Sequence, residues 1–464
     1  MSRRYDLVVV GLGSGGIVAA EFAARIGLRV AAVERDRVGG DCLWTGCVPS
    51  KAVIASARTA QGMRTAARVG LQPVEPDIDL AAVWRRMRSV QERMAETDDN
   101  PDRFRAMGVE VFEGEARLLD GHTVEAAGTR LDTRFILLCT GSRPTIPPID
   151  GLEEAGYLTN ETLFALERPP QSLVVLGGGP IGVEMAQACN RLGIGVTLLE
   201  LGPSLLPQDE PKLVEILTRR LVAEGVEVRV DTEVERVRTD GARKFVEAPA
   251  VTAVADDILV ATGRRPNVGG LGGEELGIKL ADKGIGVDSR LRTSVRSVYA
   301  AGDVAGRFLF THSAGHEAAQ AVRNMFFPWR ARAISFVPWC TFSDPELAHA
   351  GLTGAQARAK YGAEKVRVHE LPLERSDRAR TDAEEEGMLI LVTAPERLVG
   401  AHALGPAAGE LIHELAFAIR QKAKLHELSE HVHVYPTGST SIVMMAAEAA
   451  YERAKRFAWL IRRR

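Results

Sequence analysis

Two stretches of this chain repeat one order, an apolar strand, a glycine-rich turn and a helix, at the same internal spacing, and few folds accommodate that order twice. Residues 5–10 are an apolar run, Gly11-Leu12-Gly13-Ser14-Gly15-Gly16 follows, residues 17–26 read as a helix and 28–33 as a second strand. Residues 173–176, the turn Gly177-Gly178-Gly179-Pro180-Ile181-Gly182, and residues 183–192 and 195–199 repeat the order. Gly11, Gly13 and Gly16, and likewise Gly177, Gly179 and Gly182, suit a tight turn, a backbone that approaches pyrophosphate closely and close helix–strand packing. Glu34 and Glu200 each stand 23 positions after the first glycine of their turn (34 − 11 and 200 − 177), where a carboxylate accepts hydrogen bonds from ribose hydroxyls. One such turn is a weak signal; two with equal offsets and matching flanks predict two dinucleotide sites. Glu200 would also repel a 2′-phosphate, and residues 201–208 hold no arginine or lysine to welcome one, so NADH is expected there in preference to NADPH.

At 464 residues the chain is too long for one compact domain, and about three are expected. Residues 79–97 read as a polar helix closed by Asp98-Asp99-Asn100-Pro101. Pro144-Thr145-Ile146-Pro147-Pro148 reads as a boundary, because proline lacks the donor that a continuing sheet or helix requires. The second unit then ends near Arg265-Pro266-Asn267, a further helix reaches Asn324, and residues 335–464 read as mixed α+β without a glycine fingerprint. The expected fold class is α/β: two Rossmann-like dinucleotide-binding domains plus a C-terminal α+β domain. The expected limits are 1–146 and 269–334 for the first, 147–268 for the second and 335–464 for the last.

Hydrophobic residues at 45% and charged residues at 26% support a large core rather than disorder. A net charge of -3 gives no reason to expect nucleic acid, and no stretch approaches the ~20 apolar residues of a membrane span. The first strand begins at Tyr5 with no room for a leader ahead of it, which favours the cytoplasm. The basic run from Lys455 to Arg464 reads as a solvated helix end, with an anionic membrane or a partner as the alternative.

Of the five cysteines only Cys42 and Cys47 lie close together, in Gly39-Gly40-Asp41-Cys42-Leu43-Trp44-Thr45-Gly46-Cys47-Val48-Pro49-Ser50-Lys51. Two thiols at this spacing can close a small ring. If the chain is helical from Thr45 onward, the helix dipole lowers a thiol pKa from about 8.5 and favours the thiolate that attacks disulfides. The alternatives are buried structural cysteines or half of a zinc site. No second close pair supplies further ligands, so no metal site is expected. Cys139 and Cys189 read as small packing residues.

With Thr140-Gly141-Ser142-Arg143-Pro144, Glu184 in the second fingerprint, Ala261-Thr262-Gly263-Arg264-Arg265-Pro266-Asn267 and Ala301-Gly302-Asp303, these residues resemble the flavoprotein disulfide reductases. That is the family of dihydrolipoamide dehydrogenase, glutathione reductase and mercuric reductase, and the resemblance runs over nearly the whole chain. It implies FAD in the first unit, with Asp303 near its ribityl chain, and a nicotinamide dinucleotide in the second. Thr140, Gly141 and Gly263 join the glycines as cofactor-binding positions. It further implies that Lys51 and Glu184 pair beside the flavin, and that hydride passes from NADH to FAD and electrons on to a Cys42–Cys47 disulfide. Cys47 then stands nearer the flavin and Cys42 attacks a small-molecule or protein-bound disulfide. The C-terminal domain resembles the family's interface domain and implies a homodimer whose sites draw on both subunits.

The pattern breaks near the C-terminus. Most relatives carry there a histidine before a proline and a glutamate five residues after that histidine, whereas this chain reads Tyr435-Pro436-Thr437-Gly438-Ser439-Thr440. A tyrosine with a pKa near 10 is a poor general base at neutral pH. His431, His433 and Tyr435 alternate, so in an extended segment they share a face. His433 is then a candidate base, against the plainer reading of a solvated or dimer-packing face. Tyr435 and the Val337-to-Glu346 segment also resemble mercuric reductase, but the last cysteine is Cys340, so the delivering C-terminal pair is missing. Three functions follow: an NADH-dependent flavoenzyme for disulfide or thiol-bound substrates, a mercuric-type reductase or an NADH oxidase or quinone reductase, and a non-enzymatic redox sensor. His312 and His316 follow Asp303 and approach the flavin, or cap and pack a helix.

Overall fold

The computed structural model describes residues 4–329 and 332–460. Leu7, Val8, Val9 and Val10 have almost no exposed surface, because a central parallel strand is covered on both faces and an unbroken apolar run is what it needs. This strand, Arg4–Val10, pairs in parallel with Val30–Glu34 on one side and Thr129–Leu138 on the other. Glu110–Glu113 and the antiparallel Thr123–Ala126 and Ala116–Asp120 extend the sheet. The strand Val298–Ala300 returns from far along the chain to pair with Thr129–Leu138. The second unit repeats the plan in a parallel sheet of Glu227–Arg229, Gly195–Leu199, Ser172–Leu176 and Asp257–Val260. The last part is a five-stranded antiparallel sheet, 339–341, 346–351, 397–405, 388–394 and 367–372 in order, packed on the helices Ala408–Arg420 and Thr440–Arg456.

Of the prolines read as a boundary, Pro144 closes a short strand. Ser142–Pro144 pairs antiparallel with Arg264–Pro266 in a two-stranded ribbon joining the first unit to the second. A two-stranded ribbon leaves half of each strand's amides outside the ladder, so a missing proline N–H is tolerated there. The segment expected as a polar helix forms Leu80–Thr97, capped by Asp79, whose side chain accepts from Ala82 N at 3.1 Å. It is not merely polar: Trp84, Met87 and Gln91 recur at helical spacing and are buried, Trp84 and Met87 in one core cluster with Ala52, Val53 and Ile54 of the helix Cys47–Arg64.

Between the second unit and the C-terminal sheet lies a buried charge cluster. Arg191 donates to both carboxylate oxygens of Glu224 at 2.7 and 2.6 Å and to Asp344 Oδ2 at 2.6 Å. Its side chain and that of Glu224 are only 2% and 5% exposed, so neither charge has water to fall back on. Removing the guanidinium leaves the buried Glu224 with Arg220 as its remaining cation, and takes from Asp344 its 2.6 Å ion pair. Arg191→Ala is therefore expected to lower unfolding stability by about 3–5 kcal/mol, read as the loss in urea-denaturation midpoint at constant slope.

No described helix is long and apolar enough to cross a membrane. The basic tail is described to Leu460, and Ile461 to Arg464 lie outside the described residues.

Candidate functional site

The two glycine fingerprints open into one cleft of about 1750 Å³, above the ~300–1,000 Å³ of a single small-ligand pocket. In each fingerprint the third glycine packs against the first. A Cβ on Gly16 would stand 1.8 Å from the Gly11 carbonyl oxygen, and one on Gly182 would stand 1.9 Å from that of Gly177. The middle glycines are open: a Cβ on Gly13 meets nothing closer than 3.8 Å and one on Gly179 nothing within 4 Å, space that a close-lying pyrophosphate can use. The helices Ser14–Arg25 and Pro180–Arg191 start there and point unpaired amides at that space.

The two strand-end carboxylates are held alike. Glu34 accepts from Leu12 N at 2.6 Å and Asp36 N at 3.0 Å; Glu200 accepts from Gly178 N at 2.5 Å and Gly202 N at 2.7 Å. The equivalent amides fix both side chains at the mouths of the turns, with lone pairs left for ribose hydroxyls. Thr140 and Asn267 hydrogen-bond reciprocally, and Gly141, Gly263 and Asp303 line the same cleft. Burial raises the Asp303 pKa against the lowering effect of Ser142, whose hydroxyl donates to Asp303 Oδ2 at 2.5 Å. These residues fit an extended dinucleotide at each turn.

Cys42 and Cys47, both free thiols, enter the cleft from two short-range structures. Cys42 lies in the single turn Gly40–Trp44, and Cys47 is the first residue of the helix Cys47–Arg64, two positions later than the helical start expected from sequence. The two sulfurs titrate as a pair. Cys47 is lowered to about 6, first by the hydrogen bond from Cys42 and then, against its burial, by Thr311, whose Oγ1 stands 3.3 Å from Cys47 Sγ, and by Lys51. Cys42 is pushed far up by donating that hydrogen bond and by burial. The reduced pair therefore holds a thiol at Cys42 and a thiolate at Cys47.

Lys51, one turn beyond Cys47, donates to Glu184 Oε2 at 2.7 Å, and its ammonium lies 4.4 Å from the centre of the Phe342 ring. Glu184, 6% exposed, also accepts from Phe342 N at 2.8 Å. Three residues that sequence reasoning left without roles hold the Asp41–Trp44 turn in place. Gln91 Nε2 donates to the carbonyls of Leu43 and Trp44, clamping the Cys42 turn. Arg264 reaches Asp41 Oδ2 at 3.0 Å and Ser142 Oγ at 2.8 Å. Asn160 donates to Asp41 Oδ1 at 3.0 Å. The signal for Arg264 was the Arg-Arg pair itself, of which only the first is enclosed; Gln91 gave none.

His433 and Tyr435 are absent from the lining of this chain's cleft and reach different partners, Glu414 and Asp377. His431 and Tyr435 are exposed, whereas His433 is tucked in, 10% exposed, with Nε2 2.8 Å from Glu414 Oε1. Burial alone would lower the His433 pKa, but Glu414 and the His431 carbonyl outweigh it and raise it. The Tyr435 hydroxyl donates to Asp377 Oδ2 at 3.1 Å, which raises its pKa and keeps it a phenol. His312 lines the cleft, Nε2 against Pro338 O at 2.8 Å, and His316 does not.

The pyridine nucleotide-disulphide oxidoreductase family matches residues 5–318, and its dimerisation domain matches residues 337–446. Dihydrolipoyl dehydrogenase of Thermus scotoductus is 36% identical over 465 residues, covering 97% of this chain and 98% of that protein. Mercuric reductase of Streptomyces lividans is 33% identical, covering 97% of each. Among solved structures, the HOCl-induced flavoprotein disulfide reductase RclA from Escherichia coli superposes with a TM-score of 0.84 at 26% identity, over 96% of this chain and 99% of that one; a Cu(II) complex of RclA also matches, at 0.85 and 25%, over the same shares. The chain belongs to this oxidoreductase family.

The order of the two thiols is measurable. In the reduced protein one thiolate should absorb near 240 nm above a midpoint of about pH 6 and vanish below it. Cys47→Ser should abolish the step, and Thr311→Val should move it upward by removing a donor to the charged sulfur.

Proposed function

We propose that this member of the pyridine nucleotide-disulphide oxidoreductase family uses NADH, bound at the Gly177–Gly182 turn, to reduce a Cys42–Cys47 disulfide and through it a disulfide or thiol-bound acceptor. The observation that carries the reading is the placing of the pair Cys42 and Cys47, and of Lys51 against Glu184, in one cleft with both fingerprints. FAD, held by Gly11, Gly13, Gly16, Glu34, Thr140, Gly141 and Asp303, supplies the two-electron link between nicotinamide and sulfur. Two electrons and one proton convert the disulfide to one thiol and one thiolate, and the pKa order puts the proton on Cys42. Lys51 places a positive charge beside the reduced sulfur, and Glu184 offsets the burial of that cation.

Cys42 attacks only after losing its proton, so a base is needed on the acceptor side. Tyr435, held as a phenol, is unsuited to this and serves as a donor. His433, paired with Glu414, has the composition of an acid–base dyad, and in the homodimer that the dimerisation domain implies it serves the partner's cleft. A second reading is favoured by the two free thiols in the open cleft and by the mercuric reductase and copper-complex relatives: a thiophilic metal ion as the acceptor.

Anaerobic titration of the holoenzyme with NADH decides the core of the proposal. Uptake of two equivalents, with a long-wavelength thiolate band after the first that is lost in Cys47→Ser, is expected; one equivalent without the band overturns the relay. NADH should exceed NADPH in kcat/KM by at least about tenfold, since Glu200 repels the extra phosphate, and a clear NADPH preference contradicts the assignment. His433→Ala should slow disulfide turnover by about 10²–10⁴ while leaving reduction by NADH intact, and unchanged turnover removes His433 from the mechanism.

A further inference from the structure

The buried polar groups that this function leaves unused gather between the second unit and the C-terminal sheet. Asp209, His349 and His402 are 6%, 1% and 1% exposed. Trp339 Nε1 donates to Asp209 Oδ1 at 3.0 Å, the His349 ring lies flat on the Trp339 indole with centroids 3.6 Å apart, and His402 Nδ1 meets His349 Nδ1 at 3.1 Å. The other ring nitrogens face carbonyls: His349 Nε2 that of Gly351 at 3.0 Å, His402 Nε2 that of Leu352 at 3.1 Å. A carbonyl oxygen only accepts, so both Nε2 atoms carry hydrogen, and the contact between the two Nδ1 atoms needs one hydrogen more. Two rings with three such hydrogens form a monocation. The Asp209 carboxylate, 3.9 Å from His349 Nδ1, balances it, and the indole face adds a cation–π attraction.

Burial acts on the same protons from the other side. It pushes Asp209 up to about 7 and His349 and His402 down to about 3 and about 4, which would put the third proton on the carboxyl. Both distributions hold three protons in a neutral set. Above neutrality the set loses one and keeps an uncompensated buried charge. The neighbouring charges are otherwise engaged: Glu346 meets Arg58 and Gly409 N, Glu184 meets Lys51, and Glu210 accepts from Gly354 N, while the Cys340 thiol is pushed up and stays neutral.

Asp209 also ends the segment that follows Glu200. Leu206 N donates to the Gly178 carbonyl of the second fingerprint at 2.9 Å, and Leu206 itself has φ +45°, a left-handed backbone that a leucine keeps only when held. The segment is thus strapped to the fingerprint at one end and, through Asp209 and Glu210, to the C-terminal sheet at the other. Leu206, Pro207, Gln208 and Asp209 line the cleft between.

We infer that Asp209, His349 and His402 share one proton and, while they hold it, position the 205–210 segment for the pyridine nucleotide. The inference rests on reading the second fingerprint as the NADH site. Its test is calorimetric titration of 1,4,5,6-tetrahydro-NAD, which fits the NADH site but donates no hydride, into the oxidised holoenzyme between pH 5.5 and 9, in two buffers of different ionisation heat. Affinity is expected to weaken by up to tenfold per pH unit above neutrality, with proton uptake on binding. Asp209→Asn should bind with flat pH dependence and no proton uptake; His349→Gln should also lose the uptake, and Asp209→Glu should restore part of it. Identical pH profiles and proton uptake in wild type and Asp209→Asn overturn the inference and leave the NADH site standing. No binding of the analogue by wild type at any pH overturns the nucleotide assignment instead. Should the variants not fold, ¹⁵N-histidine spectra of the wild type decide: one hydrogen shared between the two Nδ1 atoms supports the inference, and two independent rings reject it.

Discussion

Glu184 is where the three parts of the chain become one machine. Its carboxylate is buried, and a buried carboxylate without a cation and donors is too expensive to keep ionised. It finds the cation on the helix Cys47–Arg64 of the first unit, at Lys51, and a donor in the C-terminal part, at Phe342 N. Glu184 itself lies two residues beyond the closing glycine of the second fingerprint. One ion pair therefore fixes how far the Cys47 sulfur stands from the second nucleotide cradle, since Lys51 is a single helical turn from Cys47 and shares its face. The cleft keeps its shape because this distance is not free to drift.

Around that junction the two sulfurs are held unequally. Cys47 gains from a helix start, a hydroxyl and an ammonium, all favouring negative charge. Cys42 sits in a five-residue turn clamped from behind by Gln91 and from the side by Asp41, which Arg264, Asn160 and Thr45 all hold. The hydrogen bond it makes to Cys47 and its burial outweigh the lowering effect of the Thr311 and Ser14 hydroxyls. A pair built this way accepts electrons into a defined state, with the charge at Cys47 and the proton at Cys42, instead of spreading them over both.

The repeated fingerprints were legible because their information is local. Glycine where a Cβ would strike a carbonyl, and a carboxylate at a fixed offset, need no knowledge of the rest of the fold. Pro144 was read as a boundary on equally local grounds, but the narrow ribbon it makes there was not legible, because its partner strand at 264–266 lies more than a hundred residues away. Glu414, Gln91 and the Asp209, His349 and His402 set were invisible because each matters through a neighbour distant in sequence. Periodicity recorded the 80–97 helix as polar while three of its side chains were already committed to the core. Tyr435 was legible as a departure, but only the tertiary contact to Asp377 shows why the phenol keeps its proton.

Tyr435 and Thr440 stand outside the lining of this chain's cleft, and the two halves of the proposed relay make different demands. Delivery of electrons into Cys42–Cys47 needs a fixed cation and fixed dipoles, which this chain's cleft supplies at Lys51 and at the start of the helix Cys47–Arg64. Their delivery outward needs Cys42 to lose a proton that its surroundings hold firmly. A disulfide acceptor makes that loss obligatory, because a thiol is a poor nucleophile, whereas a thiophilic ion lowers the thiol pKa by its own charge. In the function proposed above, His433 with Glu414 meets the first demand and is irrelevant to the second. The acid–base partner of Cys42 is therefore the point at which a disulfide reductase and a metal-ion reductase built on this scaffold diverge.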